Sequence, residues 1–175
     1  MRRDDVERIA EDLVARLPET SRCPVDVRGV ARQLGLPVVP ADLGEDVSAC
    51  LVTEGKRSCI GVHEKDHPNR QRFSIAHEIG HYVLKHGYST VHIDRKSNVS
   101  FRAVIYRTGK GTTGDLREVE ANQFAACLLM PSKRIRDEVS KLPNEVTDDE
   151  IESLARKFKV SPAAMAIRLQ VLELF

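Results

Sequence analysis

Long hydrophobic runs are missing from this sequence. No stretch approaches the roughly 18 uninterrupted apolar residues of a membrane-spanning helix. The start, MRRDDVERIAEDLVARL, has acids at positions 4, 5 and 7 and lacks the apolar core of a secretory signal. These absences predict a soluble, cytoplasmic protein with no membrane partner. An excess of one charge is missing too: 27 lysines and arginines stand against 26 acids, for a net charge of +1. That balance excludes a general attraction to nucleic acid or to an anionic membrane, so nucleic acid would act as partner or activator only through a local patch. Paired cysteines are also absent. Cys23, Cys50, Cys59 and Cys127 are scattered and form no CxxC. Without a secretory signal they read as free thiols. There is no internal repeat and no low-complexity tract.

What is present suits one compact domain: 175 residues, 41% of them hydrophobic. Apolar residues at helical spacing predict a helix over 2–17, stopped by Pro18, and another over 24–34 with Gly35 as its cap. LPVVPADL reads as a short edge strand, because two prolines do not suit a central one. SACLVTEGKRSCIGVH reads as a hairpin turning at Glu54-Gly55-Lys56. A long helix follows DHPN, with Asp66 as its cap, Pro68 in its first turn and Gly87 as its stop. Residues 99–107 alternate as a strand. TGKGTTGD reads as a flexible loop, and REVEANQFAACLLM as a helix ended by Pro131. Three further helices fall near 132–141, 148–159 and 162–174. The order predicts an α+β domain with a small sheet.

The stretch FSIAHEIGHYVLKHG carries the chemistry. His77 and His81 are four apart, so on a helix both imidazoles point to one side and can share a metal. Glu78 adjoins the first histidine, where it reaches an activated water rather than the metal. H-E-x-x-H on a helix has this logic in zinc hydrolases. The bland alternative is a helix that happens to carry two histidines. Its other residues (Phe73, Ile75, Ala76, Ile79, Val83, Leu84) are apolar, so the histidines would be buried and would need partners. Gly80, inside the motif, serves either close helix packing or the approach of a substrate.

A catalytic zinc needs a third protein ligand and an open position. Glu118 and Glu120 both stand at the start of the next apolar helix. Glu118 and Asn122 are four apart and share a face, so Glu118 could bind metal while Asn122 hydrogen-bonds a ligand histidine. Glu120 lies about 200° round the helix from Glu118. The reading favours Glu118 and leaves Glu120 open. The loser would be a solvated charge near a helix N-terminus.

RQRFSIAHEIGHYVLKH followed by EVEANQFAACLLMP resembles the ImmA/IrrE family of bacterial and phage metallopeptidases. PVDVRGVARQLGLPVV, the hairpin and DHPNRQRF resemble its N-terminal half, so the likeness spans about residues 20–170. The resemblance implies a zincin-like, thermolysin-like core with a small, mostly antiparallel sheet on the H-E-x-x-H helix. It implies one zinc per chain held by His77, His81 and Glu118, with Glu78 as general base. It implies an endopeptidase that cleaves a helix-turn-helix repressor encoded nearby and so releases mobile-element, stress-response or phage-defence genes. On this reading residues 1–145 form the peptidase domain with its N-terminal helices, and 146–175 a helical pair packed on it, leaving no room for a full extra domain. A reading from another class is a non-catalytic zinc-containing module that docks a repressor or DNA.

Several residues have weaker readings. The last two helices have the length of a helix-turn-helix, but only Arg168 and Gln170 suit base reading, so packing or protein docking is favoured. Tyr106 is a candidate transition-state donor, with Tyr82, His86 and Arg107 behind it. His86 sits nine residues after His77, half a turn off, and is expected to face elsewhere. His63, His67 and His92 read as surface or loop histidines. Arg70 and Arg72 read as caps of local acids rather than substrate ligands. Cys59, in the strand before the histidine helix, is a candidate inhibitory thiol at an edge beside the site. Cys127 reads as a small core residue.

Overall fold

The computed structural model describes residues 3–86, 91–95, 113–143 and 146–175. Helix α1 (Arg3–Arg16) opens with Asp4 and Asp5 in its first turn and buries Val6 and Ala10 completely. Acids there suit the positive end of the helix dipole. A 3₁₀ turn (Pro18–Thr20) leads to α2 (Val27–Gln33), capped by Asp26, whose side chain accepts from the Gly29 N–H. Gly35 follows at φ +73°, the left-handed value that ends helices.

Four strands form one sheet in the order β1-β3-β2-β4: β1 (Val38–Ala41), β2 (Val47–Glu54), β3 (Arg57–His63) and β4 (Val91–Arg95). β1 runs parallel to β3, and the other pairings are antiparallel. β1, which contains Pro40, is an edge strand. β2 and β3 are the expected hairpin, with Gly55 at φ +61° in its turn. Alternation sorts the faces. Ala49, Leu51, Ile60 and Val62 are buried on one face, while Cys50, Val52, Cys59 and Gly61 occupy the other.

The long helix α3 (Pro68–Val83) buries Ile75, Ala76 and Ile79 in the core that also holds Leu51, Ile60 and Val62. Helix α4 (Thr113–Leu129) packs along α3 and against α1, burying Phe124, Ala125, Leu128 and Leu129. Three helices follow: α5 (Ser132–Val139), α6 (Asp148–Phe158) and α7 (Pro162–Val171). Phe158, Met165 and Leu169 join the same hydrophobic cluster as Phe124 and Ile75. The architecture is α+β with a small, mostly antiparallel sheet on the H-E-x-x-H helix. No helix among the described residues is long and apolar enough to cross a membrane.

Several expectations need correction. The cap of α3 is His67, whose Nδ1 accepts from the Asn69 N–H at 3.2 Å, so Asp66 does not fill that place. The helix ends at Val83, because Lys85 turns left-handed (φ +54°) before the glycine that was expected to stop it. Gly87 and residues 99–107 lie outside the described residues, as do 108–112 of TGKGTTGD. Residues 113–115 of that segment form the first turn of α4. β4 was not anticipated, and it places His92 in a strand opposite Leu51. His63 is buried (5% exposed) at the end of β3, not a surface residue.

Two arginines tie the helices together. Arg168 is buried and donates from Nε to the Met130 carbonyl at 3.0 Å and from its guanidinium to Glu7 at 2.9 Å. That occupation removes the principal base reader of a helix-turn-helix. Arg72 donates to the carbonyls of Val25 (2.9 Å), Lys159 (3.4 Å) and Phe158 (3.5 Å), so it caps the C-terminus of α6 instead of an acid. Arg70 donates to the Ser48 hydroxyl at 3.1 Å.

Gly80 explains how α3 and α4 approach. A Cβ there would lie 3.2 Å from the Ala121 Cα, the Ala121 carbonyl oxygen and the Phe124 Cβ. Of the two roles open to it, close helix packing is the one the contacts describe. Gly80→Ala gains about 1 kcal/mol of helix propensity, but it forces two packed backbones apart at about 1–3 kcal/mol. Thermal unfolding should register a net loss of about 1 kcal/mol. An unchanged or raised melting temperature would mean that the contact is slack.

Candidate metal centre

His77 and His81 sit one turn apart in the middle of α3, where apolar neighbours bury the helix; they are 2% and 1% exposed. Their Nε2 atoms face each other at 2.9 Å. From α4, Glu118 reaches across with Oε2 at 3.1 Å from the His77 Nε2 and Oε1 at 3.4 Å from the His81 Nε2. The Gly80–Ala121 approach allows this, since Glu118 and Ala121 stand on the same stretch of α4. Its side chain is 37% exposed, so the cluster reaches solvent on the Glu118 side. These three residues form a possible His-His-Glu metal site, and among the described residues no other group of three His, Cys, Asp or Glu converges in this way.

The donor set fits a tetrahedral ion. Ligand bonds of about 2.0–2.1 Å at tetrahedral angles put donor atoms about 3.3 Å apart. The two Nε2 atoms are 2.9 Å apart, and each has a different Glu118 carboxylate oxygen at a similar distance, Oε2 at 3.1 Å from His77 and Oε1 at 3.4 Å from His81. Asn122, one turn after Glu118, places Oδ1 at 3.0 Å from the His77 Nδ1. An amide oxygen only accepts, so the proton sits on Nδ1 and the Nε2 lone pair is turned to the cluster. Glu78 is fully buried beside His77. Phe73, one turn before, stacks at a tilt on His77 with ring centroids 6.4 Å apart. It also forms part of the wall of a cavity of about 470 Å³ between the start of α3 and the start of α7, with Arg70, Val160 and Pro162.

Sequence reasoning missed two residues. His86 does not face elsewhere. Its Nδ1 is 3.0 Å from the His81 Nδ1, and its Nε2 is 2.9 Å from Glu120 Oε2. Glu120 is therefore not a solvated charge: its side chain is 14% exposed and paired. The cause lies at the end of α3. Lys85 donates its N–H to the Tyr82 carbonyl (3.2 Å) and His86 to the His81 carbonyl (3.0 Å), with Lys85 in the left-handed region. This is a Schellman motif, which folds the second residue beyond the cap back against the third-last helical residue. Here those two residues are His86 and His81. Projecting His86 on a continuing helix therefore placed it wrongly; a histidine five residues after another, near a helix end, is the signal that would have found it. Burial holds the His86 imidazole below the ordinary histidine value, and the Glu120 carboxylate acts in the opposite direction.

The structure does not bring Cys59 to the cluster. β3 is an inner strand flanked by β1 and β2, and Cys59 stands on the sheet face opposite Ile60 and Val62. An inhibitory thiol at an edge strand is thus not its position. Cys127 is buried in the core. Tyr106 and Arg107 lie outside the described residues, and Tyr82 is 40% exposed.

Residues 31–170 match the family model of the IrrE N-terminal-like domain, peptidase family M78. No curated protein matches the chain. Among solved structures, a Mycobacterium tuberculosis transcriptional regulator is similar, with a TM-score of 0.63 at 17% sequence identity. The match covers 95% of this chain and 46% of that one, so the chain spans about half the length of its structural relative. At that identity the likeness carries the fold.

Proposed function

Because the chain belongs to the IrrE N-terminal-like family of M78 peptidases, we propose that it is a zinc-dependent endopeptidase acting in the cytoplasm on a helix-turn-helix repressor. The observation that carries the reading is the convergence of His77 Nε2, His81 Nε2 and the Glu118 carboxylate around one point beside the buried Glu78. These three residues would hold one Zn²⁺ ion. When bound, the ion supplies Lewis acidity for a peptide carbonyl and acidifies a water. With the ion in place, Glu78 would serve as the general base, taking a proton from the attacking water and handing it to the leaving amine. Asn122 holds the His77 ring in one tautomer and one orientation. The apolar packing of α3 keeps bulk water from the inner side of the site, which strengthens each electrostatic interaction there.

The substrate class rests on the family, and cleavage of such a repressor would release mobile-element, stress-response or phage-defence genes. Incubating the purified chain with the repressor encoded beside its gene, and weighing the products by mass spectrometry, tests this reading. One discrete cut, lost on chelation and restored by zinc, is expected. An intact repressor in the presence of the zinc-loaded chain would contradict it.

A further inference from the structure

We propose that His86 and Glu120 form a relay that positions His81 as a ligand, and that this relay sets the metal affinity of the site. The inference rests on the reading of His77, His81 and Glu118 as metal ligands. At His77 the proton is fixed by an amide oxygen that can only accept. At His81 the partner is another imidazole, which can either donate or accept, so the contact alone fixes nothing. Glu120 resolves it. Its carboxylate accepts from His86 Nε2–H at 2.9 Å. In neutral His86 the other nitrogen, Nδ1, is then a lone pair. It accepts from His81 Nδ1–H at 3.0 Å, which leaves the His81 Nε2 lone pair turned toward Glu118 and His77.

Without Glu120 the His86 ring could carry its proton on Nδ1 and donate to His81 instead. The His81 proton would then sit on Nε2, where a metal must bind. The relay also anchors the ring mechanically. His86 is held by its own N–H on the His81 carbonyl and by a side chain from α4, so α3 and α4 jointly fix the angle of one ligand. Glu118 and Glu120 thereby divide their work. One closes the cluster directly, and the other acts on it through two imidazoles.

The test is cobalt binding to the full chain, read by its visible absorption spectrum and by titration against a competing chelator. Cobalt absorption reports ligand geometry without any turnover. His86→Phe keeps the ring volume but removes the acceptor, and should weaken cobalt binding about 10–100-fold and alter the spectrum, as loss of an outer partner does. His86→Asn places an amide oxygen near the position of Nδ1, and should stay within about threefold of wild type by restoring the acceptor. Glu120→Gln can still accept from His86 and should fall between the two. Equal cobalt affinity and an identical spectrum in His86→Phe would overturn the relay while leaving the peptidase reading intact. If His86→Phe does not fold, Glu120→Leu takes its place, with about a tenfold loss expected and unchanged affinity overturning the proposal. Absence of cobalt or zinc binding in wild type would defeat both the relay and the metal-site reading on which it stands.

Discussion

Glu78→Gln is expected to lower repressor cleavage by about 10²–10⁴-fold, the contribution of a general base, while zinc stays bound near one per chain. The two parts of that result separate two classes of protein. A non-catalytic module with structural zinc has no use for a carboxylate at position 78, and its partner binding would be indifferent to the change. Glu78 is fully buried on the central helix, and burying a carboxylate costs free energy that a purely structural role would have little reason to bear. Glutamine has nearly the same shape, so thermal stability should hold within about 1 kcal/mol or rise. Undiminished cleavage in Glu78→Gln would remove Glu78 from the mechanism. Loss of zinc would instead make it a ligand.

Glu118→Ala is expected to weaken zinc binding by more than about a hundredfold, beyond the range seen for loss of outer partners. Glu118 is the proposed third ligand, with carboxylate oxygens 3.1 and 3.4 Å from the two Nε2 atoms. The side chain is over a third exposed, so truncation opens no cavity in the core and the fold should survive. Zinc titration against a competing chelator, with circular dichroism of each variant, reads both effects. Glu120→Ala is the control. Acting on the cluster through His86, it should cost less than Glu118→Ala by about tenfold or more. Equal losses in the two variants would mean that the glutamates have been given the wrong roles.

Much of this site was legible in the sequence, for a local reason. His77 and His81 lie four apart on one helix, and so do Glu118 and Asn122, and helical geometry alone puts each pair on one face. What joined the pairs was not legible as a distance. It depends on Gly80 allowing the Ala121 backbone within 3.2 Å of where a Cβ would stand. The hairpin was legible because Gly55 sits between two alternating segments. β4 was not, since residues 55–90 separate it from β2 and the strand itself carries only five residues of pattern.

Helical projection places His86 on the wrong side because the helix ends before it, at a left-handed Lys85 that no glycine announces. Glu120 reads as a solvated charge because it stands near a helix N-terminus on the side away from Glu118, and its partner His86 arrives from beyond the end of α3. Arg168 looked like a base reader because it is a cation on an otherwise apolar helix. It is buried on Glu7 and the Met130 carbonyl, partners that lie 161 and 38 residues away and cannot be read from periodicity.

Anomalous diffraction at the zinc edge, from crystals of the zinc-loaded chain, would locate the metal directly. A single peak is expected within about 2.0–2.2 Å of the Nε2 atoms of His77 and His81 and of a Glu118 carboxylate oxygen, with the remaining position facing solvent. No peak there, or a peak on other residues, would contradict it and leave α3 as a buried helix that carries two histidines.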